Sequence, residues 1–338
     1  MRVHFWTADN GGSAMYRGHL PALGLSWLGH RPSVGTVLPS EEDGTPKLDG
    51  LDVVVGCRVA KAGPLKMWQQ LKDRGVRLVY DLDDDYLHTD PAYGEAHKLW
   101  TSEPMRDGLL EAISLADTVT VCSRRLVEVF GEHHDDVRLI PNGLPAQYLA
   151  RPREYAPQEL VVGWAGSSAT YLELPLAARH IRRITEYRDS PVPVVAHMIG
   201  IGPQDAVKAG VTGESCYATG FLRDFRQYLE AVSRFDIWVA PYRDIEFNRA
   251  KFATKALEAG MLGIPLIASA IHPYAEAVVH GETGLLVPPG QEHLFGRYLM
   301  QLVNEPETRQ RMGLAARAKA SGSIMQALNK QWEQVCKG

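Results

Sequence analysis

Short apolar runs rich in Val, Ile and Leu alternate along this chain with longer stretches whose apolar residues recur at helical spacing. In the first half, after an opening strand that ends at Trp6, the runs at 51–56, 76–80, 118–122 and 137–140 predict strands. Helical periods at 63–74 and 102–116 lie between them. The turn Ile140-Pro141-Asn142-Gly143 closes this series, and 145–157 carries proline and charge without a period, so the linker is expected there. A second series follows, with strands at 160–164, 192–199, 237–240 and 265–268 and helices at 174–187, 225–235 and 251–262. From 305 onward the pattern is helical, broken near Ser321-Gly322-Ser323.

Strand runs separated by helical periods imply parallel sheets wrapped by crossover helices, hence an α/β fold class. Two such series in tandem predict two Rossmann-like domains facing each other across a cleft, at 1–150 and 151–320, with a C-terminal helix at 321–338. In open sheets of this kind ligands sit beyond the carboxyl ends of the strands. Chemistry is therefore expected in the loops after Trp6, Tyr80, Trp164, Ile199, Ala240 and Ala268.

Composition narrows the choice. A length of 338 residues suits two domains, and the formal charge of -4 with no long Lys/Arg run argues against a nucleic-acid partner. No stretch approaches the ~20 apolar residues of a membrane span and the first residues lack a signal h-region, so a cytoplasmic protein without a transmembrane segment is expected. Cys57, Cys122, Cys216 and Cys336 form no C-x-x-C pair, and the histidines form no H-E-x-x-H. Reduced thiols and no Cys/His zinc site follow as expectations.

Several segments carry candidate chemistry. Asp9-Asn10-Gly11-Gly12-Ser13-Ala14 after the first strand is either an anion-binding loop, through the N–H groups at Gly11 and Gly12, or a tight strand-to-helix turn. Gly166-Ser167-Ser168 repeats that design at the head of the second series, as a diphosphate wall, and Gly200-Ile201-Gly202 offers space for a base or a phosphate. Lys251, Lys255 and Glu258 fall on one face if a helix opens at Lys251; they are either phosphate and ribose ligands or a solvated ion network. The run Asp81-Leu82-Asp83-Asp84-Asp85 admits a metal site, carboxylates that bind a sugar or stabilise developing positive charge, or a helix cap. Arg179, Arg182, Arg183 and Arg188 give the helix after Leu174 a basic side, which reads as a membrane-contacting face or as a solvated one.

Over most of its length the chain resembles the retaining GT-B glycosyltransferases of the group 1 family. The segments that carry the resemblance are Thr219-Gly220-Phe221, Phe247-Asn248 with Lys251 and Lys255, Glu258-Ala259-Gly260, Gly263-Ile264-Pro265 and His280-Gly281-Glu282-Thr283-Gly284-Leu285-Leu286-Val287. The Gly11-Gly12 loop, Val121-Cys122-Ser123, Ile140-Pro141-Asn142-Gly143 and Trp332 in the tail add to it.

The resemblance implies retaining transfer of a sugar from a nucleoside-diphosphate donor, with no metal or other cofactor, to a glycan, lipid, protein or small-molecule acceptor. The second domain would hold the donor and the first the acceptor. By that analogy Asp83, Asp84 and Lys255 are catalytic. Gly11, Gly12, Gly166, Ser167, Ser168, Gly200, Phe247, Asn248, Lys251, Lys255 and Glu258 bind the donor, Glu258 at the ribose. The chain departs from the family pattern in three places. Ala250 stands where a Glu is usual eight residues before Glu258, the loop after Gly166 lacks the common Arg and Lys, and Asp83-Asp84 replaces a His-Asp. A sugar-nucleotide epimerase or hydrolase is the alternative enzyme reading, and a catalytically inactive nucleotide- or glycan-binding module the alternative outside catalysis.

Overall fold

The apolar runs of the first half form the centre of a six-stranded parallel sheet: β1 (Arg2–Trp6), β2 (Arg31–Gly35), β3 (Val53–Cys57), β4 (Arg77–Leu82), β5 (Thr118–Val121) and β6 (Val137–Leu139), in the order β2-β1-β3-β4-β5-β6. All five residues of β3 are buried, as a strand covered on both faces requires. The second half forms another parallel sheet from β7 (Leu160–Ala165), β8 (Val194–Ile199), β9 (Cys216–Thr219), β10 (Ile237–Ala240), β11 (Leu266–Ser269) and β12 (Gly284–Val287), ordered β12-β11-β10-β7-β8-β9. Counted from β7, that is the doubly wound Rossmann order, whose strand sequence reverses between β7 and β10. The first sheet reverses between β1 and β3. These two reversals mark where the loops of each sheet part to admit a ligand.

The structure is a computed structural model that describes residues 1–39, 47, 50–148, 158–167 and 170–338. Its first unit comprises Met1–Pro145, Ala250–Phe252 and Ser323–Gly338, and its second Ala146–Arg249 and Ala253–Gly322. Residues 149–157 of the expected linker, and Ser168, lie outside the described residues. In the first unit, Trp68 packs so closely on Gly56 that a Cβ there would stand 2.7 Å from the ring. The C-terminal helix Met325–Lys337 lies on the helix Leu20–Trp27 of the same unit, with Trp332 buried edge-on to Phe5 at 5.8 Å. No helix among the described residues is long and apolar enough to cross a membrane.

Two expectations need correction. β2, β9 and β12 are absent from the strands read off the sequence: β2 and β9 are mostly half-exposed, with mixed polar composition, and β12 has only four residues. The helix placed at 251–262 begins at Thr254 instead, after a separate short helix Glu246–Arg249. Ala250 is buried in the first unit's core and its carbonyl accepts a 2.5 Å hydrogen bond from the Ser123 hydroxyl, while Ala253 turns out of helical geometry at ψ 56°. A carbonyl taken by a side chain in another element is lost to a helical ladder.

Candidate functional site

In the second unit, β7 ends in Gly166-Ser167 and the chain then turns through Tyr171–Glu173 into the helix Pro175–Thr185. The turn is fixed by the Thr170 hydroxyl, which accepts from the Ser167 N–H at 2.8 Å. Gly200, after β8, has φ +97°, and a Cβ on it would stand 1.8 Å from the Gly166 carbonyl oxygen. The space left by the missing Gly200 side chain is therefore filled by the neighbouring loop's backbone, not held open for a base or phosphate.

The helix Thr254–Leu262 follows β10 and leads into β11, so the crossover brings its N-terminus to the carboxyl edge of the sheet. Lys255 and Glu258, three residues apart, share one face of it. Lys255 Nζ donates to the Tyr242 hydroxyl at 2.8 Å and lies 5.4 Å from that ring's centroid. Glu258 is buried and accepts from the Tyr228 hydroxyl at 2.8 Å. Burial pushes the Tyr228 phenol well up, and the adjacent carboxylate adds to the effect. The phenol thus stays protonated and holds Glu258 in place.

The same unit holds a buried carboxylate that was not among the expected site residues. Glu173 accepts from the Arg243 N–H at 2.7 Å, from the Arg243 guanidinium at 3.1–3.3 Å and from Asn248 Nδ2 at 3.1 Å. Asn248 also donates to the Arg243 carbonyl. Asn248 thus ties down the loop after β10, with Phe247 buried next to it. A cavity of about 230 Å³ opens beyond the ends of β10, β11 and β12, lined among others by Tyr242, Arg243, Asp244, Ser269 and Glu292.

In the first unit the acidic run separates into parts with different work. Asp81 is fully buried, accepting from Arg17 Nη2 at 2.7 Å and the Thr120 hydroxyl at 2.6 Å. Asp85 closes a turn by accepting from the N–H groups of Leu87 and His88. Asp83 and Asp84 remain half-buried at the end of β4. Tyr86 donates to Asp83 at 2.6 Å, and Lys251 donates to Asp84 at 2.7 Å. Burial works to raise the Asp83 carboxyl, but Arg58, hydrogen bonds from Ser13 and Tyr86, and Lys251 outweigh it and hold it below the ordinary range. Asp84 goes the other way, raised by burial against the pull of Lys251, with the Asp83 charge adding to the rise. Adjacent carboxyls pushed apart in this way can hold one charge and one proton near each other. Among the described residues no group of three or more His, Cys, Asp or Glu is placed to hold a metal ion.

The Gly11-Gly12 loop sits at the β1/β3 reversal. Its Asp9 carboxylate accepts the Gly11 N–H at 2.7 Å and pairs with Arg58 Nη2 at 2.6 Å. The protein's own carboxylate thus takes one of the N–H groups offered to an anion, while a Cβ on Gly12 would meet open space. Arg58 has φ +59°, the one positive value outside glycine among the described residues. Lys251 stands with Asp84 in the first unit; Lys255 and Glu258 are in the second.

Residues 159–305 match the family model described as Glycosyl transferases group 1. D-inositol 3-phosphate glycosyltransferase of Corynebacterium diphtheriae is 36% identical over 84 residues, 25% of this chain and 20% of that protein. The chain spans about a fifth of the length of the curated relatives it matches. Among solved structures, sucrose-phosphate synthase from Thermosynechococcus elongatus superposes with a TM-score of 0.72 at 15% identity, covering 100% of this chain and 98% of that one. Anabaena Alr3699/HepE, solved in complex with UDP-glucose, gives 0.71 at 17% identity, covering 100% and 99%. The fold is that of the GT-B glycosyltransferases. That family match covers less than half of the chain.

Proposed function

We propose that this chain is a glycosyltransferase that moves a hexosyl group from a nucleoside-diphosphate sugar to an acceptor, with retention of configuration and without a metal ion or other cofactor. The observation that carries the reading is the pairing of Lys255 and Glu258 on the helix Thr254–Leu262. Lys255 has a neutral hydroxyl as its partner, which leaves its charge available to a diphosphate. A helix N-terminus close by adds partial positive charge of the same sense. Glu258, fixed by Tyr228, supplies a carboxylate for ribose hydroxyls. Cationic groups that stabilise a departing diphosphate do the work a metal does elsewhere. In the first unit, the ionised Asp83 would stabilise positive charge developing on the sugar, and Asp84 would bind a hydroxyl.

UDP is the first nucleotide to test, because Alr3699/HepE was solved with UDP-glucose. In a thermal-shift screen of UDP, GDP, TDP, CDP and ADP, one nucleotide is expected to stabilise the protein equally with and without EDTA. At 100 times its dissociation constant the gain is about 2.7 kcal/mol. Glu258→Ala and Lys255→Ala each remove a charge-assisted contact of about 1.5–3 kcal/mol, so nucleotide affinity is expected to fall roughly 10- to 150-fold. Unchanged affinity in both variants defeats the site assignment. Ala250, buried where the family resemblance would place a Glu, favours one second reading: a binding module without transfer. Tight UDP-sugar binding with no turnover against a broad acceptor panel would select it.

A further inference from the structure

The basic side of the helix Pro175–Thr185 holds none of the residues assigned to the donor site, and the structure adds to it. This helix packs against His293–Asn304, and the two touch where a Cβ on Gly296 would stand 2.6 Å from His180 Nδ1. Neither helix contains an Asp or Glu. Their exposed positions include Arg179, Arg182 and Arg183 on one and His293, Arg297 and Met300 on the other. Arg179 Nε donates to His180 Nε2 at 3.0 Å, and among the described residues no carboxylate pairs with Arg182, Arg183 or Arg297. Other exposed helices look different: Glu95 with Lys98, Arg125 with Glu128, Asp205 with Lys208 and Glu230 with Arg234 all pair along the helix. A merely solvated face would be expected to show such pairs. The local field is positive enough to act on its neighbour, since burial, then Arg179, Arg183 and His293 all lower the His180 pKa.

We infer that this two-helix face of the second unit docks on an anionic phospholipid surface. Four arginines and a histidine over two adjoining helices of 11 and 12 residues form a patch roughly 16–18 Å long, matched to several lipid headgroups at once. Arginine binds phosphate oxygens in pairs. The exposed apolar residue on the second helix, Met300, suits the acyl boundary. A single-stranded nucleic acid fits less well, because no Phe, Tyr or Trp ring is among the exposed positions of the two helices for bases to stack on. With a net charge of -4, the chain as a whole gives no general attraction to polyanions, so binding must come from this patch.

The test is cosedimentation of the full chain with vesicles of phosphatidylcholine and phosphatidylserine in a two-to-one ratio, beside vesicles of phosphatidylcholine alone. Binding is expected only to the anionic vesicles and should weaken as salt rises. Each cation near such a surface is worth about a fivefold change in partition. The double variant Arg179→Gln/Arg183→Gln is then expected to lose about twenty-five-fold, with the nucleotide thermal shift unchanged as evidence of folding. Equal binding to both vesicle types, no binding to either, or full binding by the double variant overturns the inference. So does arginine-dependent binding to a duplex oligonucleotide without vesicle binding, which would assign the face to nucleic acid. None of these readouts depends on glycosyl transfer.

Discussion

Arg17→Met is expected to destabilise the first unit by about 3–5 kcal/mol, the cost of stranding one partner of a buried ion pair. Arg17 is buried, and its guanidinium contacts Asp81 through Nε and Nη2, while Nη1 donates to the Ile140 carbonyl at 2.7 Å and to Asn142 Oδ1 at 3.1 Å. Its carbon lies 5.0 Å from the centre of the Trp332 ring. Burial disfavours the Arg17 charge, yet Asp81 first, with Cys122 and Asp83 behind it, outweighs burial and raises the Arg17 pKa. One side chain thus joins the β4 strand, the turn after β6 and the C-terminal helix.

Methionine keeps much of the volume but leaves Asp81 held by the Thr120 hydroxyl. Urea unfolding followed by hydrogen exchange should show the loss at amides of β4 and of Met325–Lys337. The double variant Arg17→Met/Asp81→Leu is expected to recover part of it, since an apolar pair strands no charge. If the single variant costs under about 1 kcal/mol, the pair is not the clasp described here.

What the sequence displayed, and what it hid, follows from the range of each interaction. β3, and Leu78-Val79-Tyr80 within β4, were plain because buried parallel strands run apolar, and that signal is local. Lys255 and Glu258 were legible for a similar reason: three residues apart in any helix share a face. Lys251 was misplaced because the Ser123 hydroxyl that takes the Ala250 carbonyl lies 127 residues away. The acidic run could be seen but not sorted, because Asp81 differs from Asp83 only in partners contributed by distant elements. Arg17 and Asp81 are 64 residues apart, Arg58 and Asp9 are 49, and Glu173 and Arg243 are 70. Only Arg17 left a trace, as a lone arginine in the apolar stretch that leads into the helix Leu20–Trp27.

The glycines show how a conspicuous residue can have a physical reason other than the one its sequence suggests. Gly200 stood out as a gap that a ligand might fill, whereas Gly166 already fills it. Gly200→Ala is accordingly expected to cost about 3 kcal/mol or more, from two sources. A Cβ at φ +97° is strained by about 1–2 kcal/mol, and the 1.8 Å approach to a backbone oxygen forces the loops after β7 and β8 apart, an overpacking cost of about 1–3 kcal/mol. Gly202, two residues on, is the internal control. It has φ -78° and open space at its Cβ, so Gly202→Ala should be neutral or stabilising by up to about 1 kcal/mol. Chemical denaturation of the two variants side by side separates the readings. A Gly200→Ala protein of normal stability with weakened nucleotide binding would restore this glycine to the donor site. A destabilised protein would instead make it the backbone contact that sets the two loops in register, and with them the turn leading to Glu173.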